Sequence, residues 1–286
     1  MQLRTKGIVY LIIGAFIWSF GGLFIKLISM APLAIAGWRS FFAAIIMLFF
    51  VRKEKLAISK WSLIGALSYS GTVILFVIAT KLTTAANAIL IQYTAPIYVG
   101  LLSRRILNEN IKKKDWIIII VAILGMTLFF AENIFSSKTQ TNNYNLIGNV
   151  TAIFSGVCFA FTVISIRREK MNSTLQPVLY GNIITSIIAL PLSGFEIPSS
   201  NNLIYLLFLG FIQLGFGYLF FAKGTKLVTA IESALVPIIE PVLNPIWVAL
   251  FYLEYPSFIA VIGGLIVILA ITSKSINFEG IKKLIS

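Results

Sequence analysis

Two charged residues lie deep inside long apolar stretches of this chain: Glu240, in the run Val228–Tyr252, and Arg39, in the run Pro32–Val51. A bare charge in hydrocarbon is costly, so each must be neutralised, paired or set in a wet cavity. Glu240 falls about twelve residues into its run, near mid-bilayer at the helical rise. It can act as a proton-titrating or cation-contacting group. It can equally be a structural carboxyl bonded to backbone groups that neighbouring prolines release, and both readings stand. Arg39 lies about 10 Å beyond Pro32 at the helical rise. It can anchor an anionic group such as a carboxylate. From that depth its guanidinium can also snorkel to the interface or pair with a carboxylate, and this structural reading is favoured.

Prolines surround the carboxylate. Pro237, Pro241 and Pro245 recur every fourth residue, and each deprives the carbonyl four residues earlier of its helical partner. Pro96 does the same to Gln92. Interrupted helices in matching positions of two halves are a pointer to a transport site, set against plain kinked packing. The site reading is favoured because the breaks coincide with Gln92 and Glu240. Trp18, Phe20, Tyr69, Tyr93, Asn182, Gln213, Tyr218 and Asn244 are further candidates for a cavity wall. Aromatic faces with a few polar groups suit an amphipathic organic solute or an amine.

Other chemistry is excluded by composition. There is no histidine and one cysteine, Cys158, in an apolar run. That removes histidine catalysis, Cys/His metal sites and disulfides within the chain, and leaves Cys158 as a buried packing residue. No Walker motif is present, so direct drive by ATP is not expected. No catalytic set, cofactor or metal is expected, and the chain reads as a non-enzyme.

The elements that must position these residues are membrane helices. Of 286 residues 58% are hydrophobic and 12% charged, about half the charge of a soluble domain. The apolar runs number ten: about 7–29, 32–51, 61–80, 83–103, 116–131, 146–166, 176–194, 203–222, 228–252 and 256–273. With a cytoplasmic N-terminus and alternating loops, nineteen of the 23 Lys and Arg fall on the cytoplasmic side. Lys26, Lys81 and Lys138 fall outside, and both termini are cytoplasmic by the positive-inside rule. The basic residues therefore mark orientation and not a nucleic-acid surface. Lys26 and Lys81 read as snorkelling groups at span ends.

The chain also repeats itself. At an offset of 145, Lys81, Leu82, Thr84, Ala85, Leu90, Pro96 and Glu109 fall on Lys226, Leu227, Thr229, Ala230, Leu235, Pro241 and Glu254. A unit of five spans is odd, so the second copy enters the membrane from the opposite side. The expected fold is all-α and integral to the membrane, with ten transmembrane helices as two inverted-topology five-helix repeats. Residues 1–135 form the first repeat, 136–145 an external polar linker and 146–286 the second repeat. Such halves place a site at their interface and can alternate which side it opens to. Glu109 and Glu254 read as end caps or pairing groups, and Asn87 and Glu232 as capping or entrance residues. Gly125, Gly263 and Gly264 read as close contacts between spans or between subunits.

The pattern Thr84-Ala85, Pro96, Glu109, repeated as Thr229-Ala230, Pro241, Glu254, resembles the EamA-type members of the drug/metabolite transporter superfamily. Glu240-Pro241-Val242 before Tyr252-Leu253-Glu254 resembles that family's ninth helix, and Pro32 before Arg39 its second. Asn108 stands where the family usually has glycine. The resemblance implies ten helices in two inverted halves, a central cavity and transport of small organic solutes, usually outward. The expected function is thus a secondary transporter in the cell's inner membrane. Its cargo would be a small metabolite such as an amino acid, aromatic or amine compound. Protons as coupling ion, and a monomer or homodimer, are left open. The alternatives are a channel or lipid-handling protein and, further off, an intramembrane enzyme.

Overall fold

The computed structural model describes residues 2–52, 58–130, 143–243 and 257–275. Asn244, Pro245, Glu254 and the linker's first residues lie outside them. Every described element is helical. The first span is α1 (Gln2–Trp18) and α2 (Gly21–Leu27), the second α3 (Pro32–Val51) and the third α4 (Lys60–Leu82). The fourth is α5 (Ala85–Gln92) and α6 (Ala95–Leu107), and the fifth α7 (Lys113–Phe129). The sixth is α8 (Asn143–Arg168) and the seventh α9 (Gln176–Leu192). The eighth runs through α10 (Ser200–Leu207), a π-helical stretch Phe208–Phe216 and α11 (Gly217–Leu227). The ninth opens with α12 (Ala230–Leu235) and the 3-10 turn Val236–Ile238, and the tenth is α13 (Phe258–Ser275).

Five of these stretches are long and apolar enough to cross a bilayer alone: Gln2–Leu27, Pro32–Val51, Lys60–Leu82, Tyr144–Met171 and Ser200–Leu227. Their outer faces carry exposed Phe16, Phe49, Leu67, Phe154 and Ile204, a surface suited to acyl chains and not to water. Inside, the backbones pair tightly. A Cβ on Gly125 would stand 3.1 Å from the Gly263 carbonyl, so these glycines join α7 to α13 within one chain. They serve as close contacts between spans.

The packing repeats with the sequence. α4 lies along α8, and α1 along α11; α3 packs on α9, and α7 on α13. α3 meets the π stretch of the eighth span, and α9 meets α4. Exchanging the first five spans for the last five turns each of these pairings into another of them or into itself. The termini of the elements repeat too. Thr84 caps α5 by accepting from the Asn87 amide, and Thr229 caps α12 by accepting from that of Glu232. Pro32 and Pro177, also 145 apart, both stand in the first turn of their helices, where a missing amide hydrogen costs nothing.

Several local expectations change. Lys81 and Leu82 are not a loop but the last turn of α4. Lys81 donates from Nζ to the Ile28 carbonyl at 2.6 Å, and Lys26 to that of Thr83 at 2.9 Å. The two lysines thus staple the first and third spans together at one end. Asn108 adopts φ 57°, ψ 27° as the cap of α6. That left-handed conformation is why glycine is usual there and why asparagine, the side chain that best tolerates it, can replace it. Cys158 is only half-buried, against Gly71.

Candidate functional site

The fourth span breaks where Pro96 forbids a continuous hydrogen-bond ladder. α5 ends at Gln92, Tyr93 and Thr94 make a turn, and α6 restarts with Pro96 in its first turn. The ninth span changes to a tighter 3-10 turn at Val236–Ile238, around Pro237, before Pro241. The two interruptions fall within two residues of each other at the repeat offset. Both lie inside the bundle. Tyr93 is 2% exposed and Glu240 9%.

Between them is a cavity of about 40 Å³. Its wall is contributed by both halves: Trp18, Arg39, Thr72, Gln92 and Tyr93 from the first, Phe159, Gln213, Tyr218 and Glu240 from the second. The Tyr93 hydroxyl donates to Oε2 of Glu240, a contact that joins the fourth span to the ninth. Gln92 donates to the Ser155 hydroxyl at 2.7 Å, and Ser155 donates to the Thr72 carbonyl at 3.1 Å. This chain ties the third, fourth and sixth spans together at the cavity edge.

Arg39 overturns the snorkelling reading. It is 2% exposed, and its Nε and Nη1 have no hydrogen-bond partner among the described residues. Distance along α3 misjudged it, because that face of the helix turns towards the π stretch of the eighth span and not towards lipid. Trp18 Nε1 and Gln213 Oε1 are likewise buried without a partner. The Trp18 ring packs at a tilt 4.6 Å between centroids from Tyr218 and 4.9 Å from Phe221, so the wall beside Arg39 is aromatic. Gln213 sits in the π-helical stretch, a widened turn of the kind often found at functional sites.

Of the other expected residues, Tyr69 and Asn182 stand behind the wall. The Tyr69 hydroxyl donates to Asn182 Oδ1 at 3.1 Å, both side chains are fully buried, and the Tyr69 ring lies 4.7 Å from that of Tyr218. Phe20 packs on Phe16 and Phe208, away from the cavity. Sequence reasoning missed Thr72, Val73, Phe76, Phe159 and Leu214, which also line it. The repeat held a signal for one of them: Val73 is 145 residues from Tyr218.

One end of the bundle is braced by ions. Glu109 accepts from Arg167 Nε at 2.8 Å and from the Ala230 amide at 2.8 Å, capping α12. Arg167 also donates to the carbonyls of Thr225 and Lys226, which close α11. Arg4 pairs with Glu232 at 2.5 Å and donates to the Lys274 carbonyl at 2.8 Å. The start of the first span and the end of the tenth therefore meet at the same end of the bundle, as an even number of crossings requires. Lys274 Nζ bonds Asp115 at 2.6 Å.

Two five-helix halves around a polar cavity, faced by broken spans and clad in apolar side chains, define a multi-pass membrane transporter. The EamA-like transporter family matches residues 5–131 and again residues 146–273, and this chain belongs to it. It is similar to the pseudopaline exporter CntI of Pseudomonas aeruginosa (strain UCBPP-PA14), with 23% identity covering 98% of this chain and 99% of that one. It is 27% identical to the S-adenosylmethionine uptake transporter of Rickettsia prowazekii (strain Madrid E), over 82% of this chain and 79% of that one. The uncharacterized transporter YyaM of Bacillus subtilis (strain 168) is 28% identical, over 86% and 85%. A solved structure, described only as a crystal structure of a protein, superposes with a TM-score of 0.79 over 94% of this chain and 96% of its own, at 14% identity. The fold is thus shared, and these named relatives are transporters, not enzymes.

Proposed function

We propose that the protein is a secondary carrier that moves a small organic metabolite by alternating access. The observation that carries this reading is the cavity itself. It is walled by both halves, it holds deep polar groups, and at about 40 Å³ it is far below the 300–1,000 Å³ typical of small-molecule pockets. An organic solute needs more room than that, so admitting one requires the halves to move. The repeating pairings between the halves supply two equivalent ways to separate, one towards each membrane face. That exchange supports an inverted arrangement of residues 1–135 and 146–286 about an external linker.

Of the relatives named above, one is a pseudopaline exporter and another an S-adenosylmethionine uptake transporter. Their difference fits a carrier whose direction is set by gradients and not by geometry. The charge asymmetry supports cytoplasmic termini, and the resemblance supports an inner-membrane place with outward transport as the usual direction. Glu240 is the group we assign to proton coupling, because it alone of the deep carboxylates faces the cavity among the described residues.

The test is counterflow. Purified protein in liposomes, preloaded with unlabelled metabolite, should accumulate labelled metabolite above equilibrium. A channel would give unsaturable flux with no overshoot, and that result would sink the carrier reading. A pH gradient should drive uptake by the native protein and not by Glu240→Gln. Unchanged gradient-driven flux in the variant would remove proton coupling and leave the carrier intact.

A further inference from the structure

We propose that the cavity recognises a zwitterionic solute, its carboxylate at Arg39 and Trp18 and its ammonium at Glu240. The proposal rests on the carrier reading and names the chemistry of its cargo. Its ground is a set of buried polar atoms that protein partners leave unused. Arg39 is 2% exposed, with Nε and Nη1 unpartnered among the described residues. Trp18 is 5% exposed, with Nε1 likewise unpartnered. Both groups only donate, and both line the same cavity. Folded proteins satisfy the great majority of buried polar groups, so two idle donors on one small cavity point to an acceptor supplied from outside. A guanidinium beside an indole N–H suits a carboxylate.

The same cavity also offers acceptors. Gln213 Oε1 is buried and unpartnered among the described residues, and Gln213 is 5% exposed. Glu240 receives one hydrogen bond, from Tyr93 at Oε2. An acid without an amine would satisfy the donors and set its charge against Glu240. An amine without an acid would satisfy the acceptors and set its charge against Arg39. A solute with both groups satisfies both sets and brings no net charge into the membrane interior. A phosphate dianion fits worse, since one guanidinium would face two negative charges with Glu240 on the same wall. The aromatic neighbours Trp18, Phe159 and Tyr218 favour an apolar or aromatic remainder.

Three probes separate these cases: phenylalanine, 3-phenylpropionate and 2-phenylethylamine, each titrated against the purified full-length protein by thermal shift. Phenylalanine should bind at least about tenfold more tightly than either partial analogue, because a site built for a polar group rejects ligands lacking it. Arg39→Gln should close the gap between phenylalanine and 2-phenylethylamine. Trp18→Phe should narrow the same gap while keeping a ring in place, so the idea stays testable if the arginine variant does not fold. Glu240→Gln should close the gap between phenylalanine and 3-phenylpropionate. No shift with any probe, equal shifts with phenylalanine and 2-phenylethylamine, or an unaltered ratio in Trp18→Phe would overturn the proposal. Selective shifts without counterflow in liposomes would overturn the carrier reading and leave the zwitterion site standing. Counterflow of the amine alone would do the reverse.

Discussion

The fourth and ninth spans begin alike and end differently. Each opens on a threonine that caps its first turn, each breaks about eight residues later, and each carries a proline after the break. At the break itself the likeness stops. Gln92 and Tyr93 correspond to Pro237 and Ile238, and Glu240 corresponds to Ala95. The second and seventh spans differ in the same way: both start on a proline, yet Arg39 corresponds to Ile184. What builds the bundle is present twice, and what gives the cavity its charge is present once. A symmetric scaffold lets the halves exchange roles, and an asymmetric lining lets one solute be read at a single place. Exchange needs equal mechanics at both ends and says nothing about where the polar groups sit, so duplication could diverge at the lining without losing the motion.

The sharpest way to break this comparison is to give the first half the residue that the second half carries. Arg39→Ile should lower solute flux in liposomes by about a hundredfold, the scale expected when a charge-assisted contact of roughly 1.5–3 kcal/mol is lost. The same variant should not lose thermal stability. Arg39 Nε and Nη1 are buried without a hydrogen-bond partner among the described residues, so no bond is lost there with the side chain. A variant that transports normally would mean that Arg39 belongs to the scaffold.

The next effect is on stability and not on flux. Glu109→Gln removes the ion pair with Arg167 and weakens the cap on the Ala230 amide, and both partners are largely buried. We expect a loss of about 1–3 kcal/mol, seen as a lower melting temperature in detergent. Because Arg167 also holds the carbonyls of Thr225 and Lys226, the eighth and ninth spans should loosen together. Faster hydrogen exchange confined to other spans would contradict that linkage.

The threonine caps test the symmetric half of the comparison. Thr84→Ala and Thr229→Ala should each cost about 1 kcal/mol, the usual loss for a helix N-cap. The figure of interest is their difference. Thr229 shares a capping box with Glu232, which is itself held by Arg4, whereas the box is absent at Thr84. The second cap should therefore cost the larger amount, by a few tenths of a kcal/mol by analogy with other capping interactions. Equal costs would mean that Arg4 alone holds the carboxylate and the box adds nothing.

Much of this architecture was legible from residue order. Span count, repeat offset and broken helices are written in apolar runs and prolines, which act locally. The cavity was only half legible. Glu240, Gln92 and Tyr93 stood out because polar groups in lipid need a reason. Phe159, Phe76 and Val73 did not, because an apolar side chain on a membrane helix looks the same whether it faces lipid or a cavity. Arg39 was misjudged for a related cause: depth along a helix carries no information about which neighbour its face meets. Tyr69 and Asn182, read as candidates for the cavity wall, stand one layer back as a hydrogen-bonded pair, a difference of packing that spacing along the chain cannot express.

The smallest effect concerns Asn108, a position where the family resemblance implies glycine. Asn108 closes α6 at φ 57°, and the next residue, Glu109, is the carboxylate that braces the eighth and ninth spans. The left-handed turn directs the chain so that the Glu109 amide can reach the Ser103 carbonyl, at 3.3 Å. Glycine adopts that conformation without a Cβ penalty, so Asn108→Gly should leave stability within about 0.5 kcal/mol of the native protein. Alanine has neither glycine's freedom nor asparagine's local hydrogen bonding. Asn108→Ala should therefore cost about 1 kcal/mol, on the scale of a residue forced into the left-handed region. Coupling distinguishes the two: combined with Glu109→Gln, the alanine variant should lose less than the sum of the separate losses, since both act through the same brace. Full additivity would mean that the turn and the carboxylate contribute independently, and that Asn108 positions nothing beyond its own helix end.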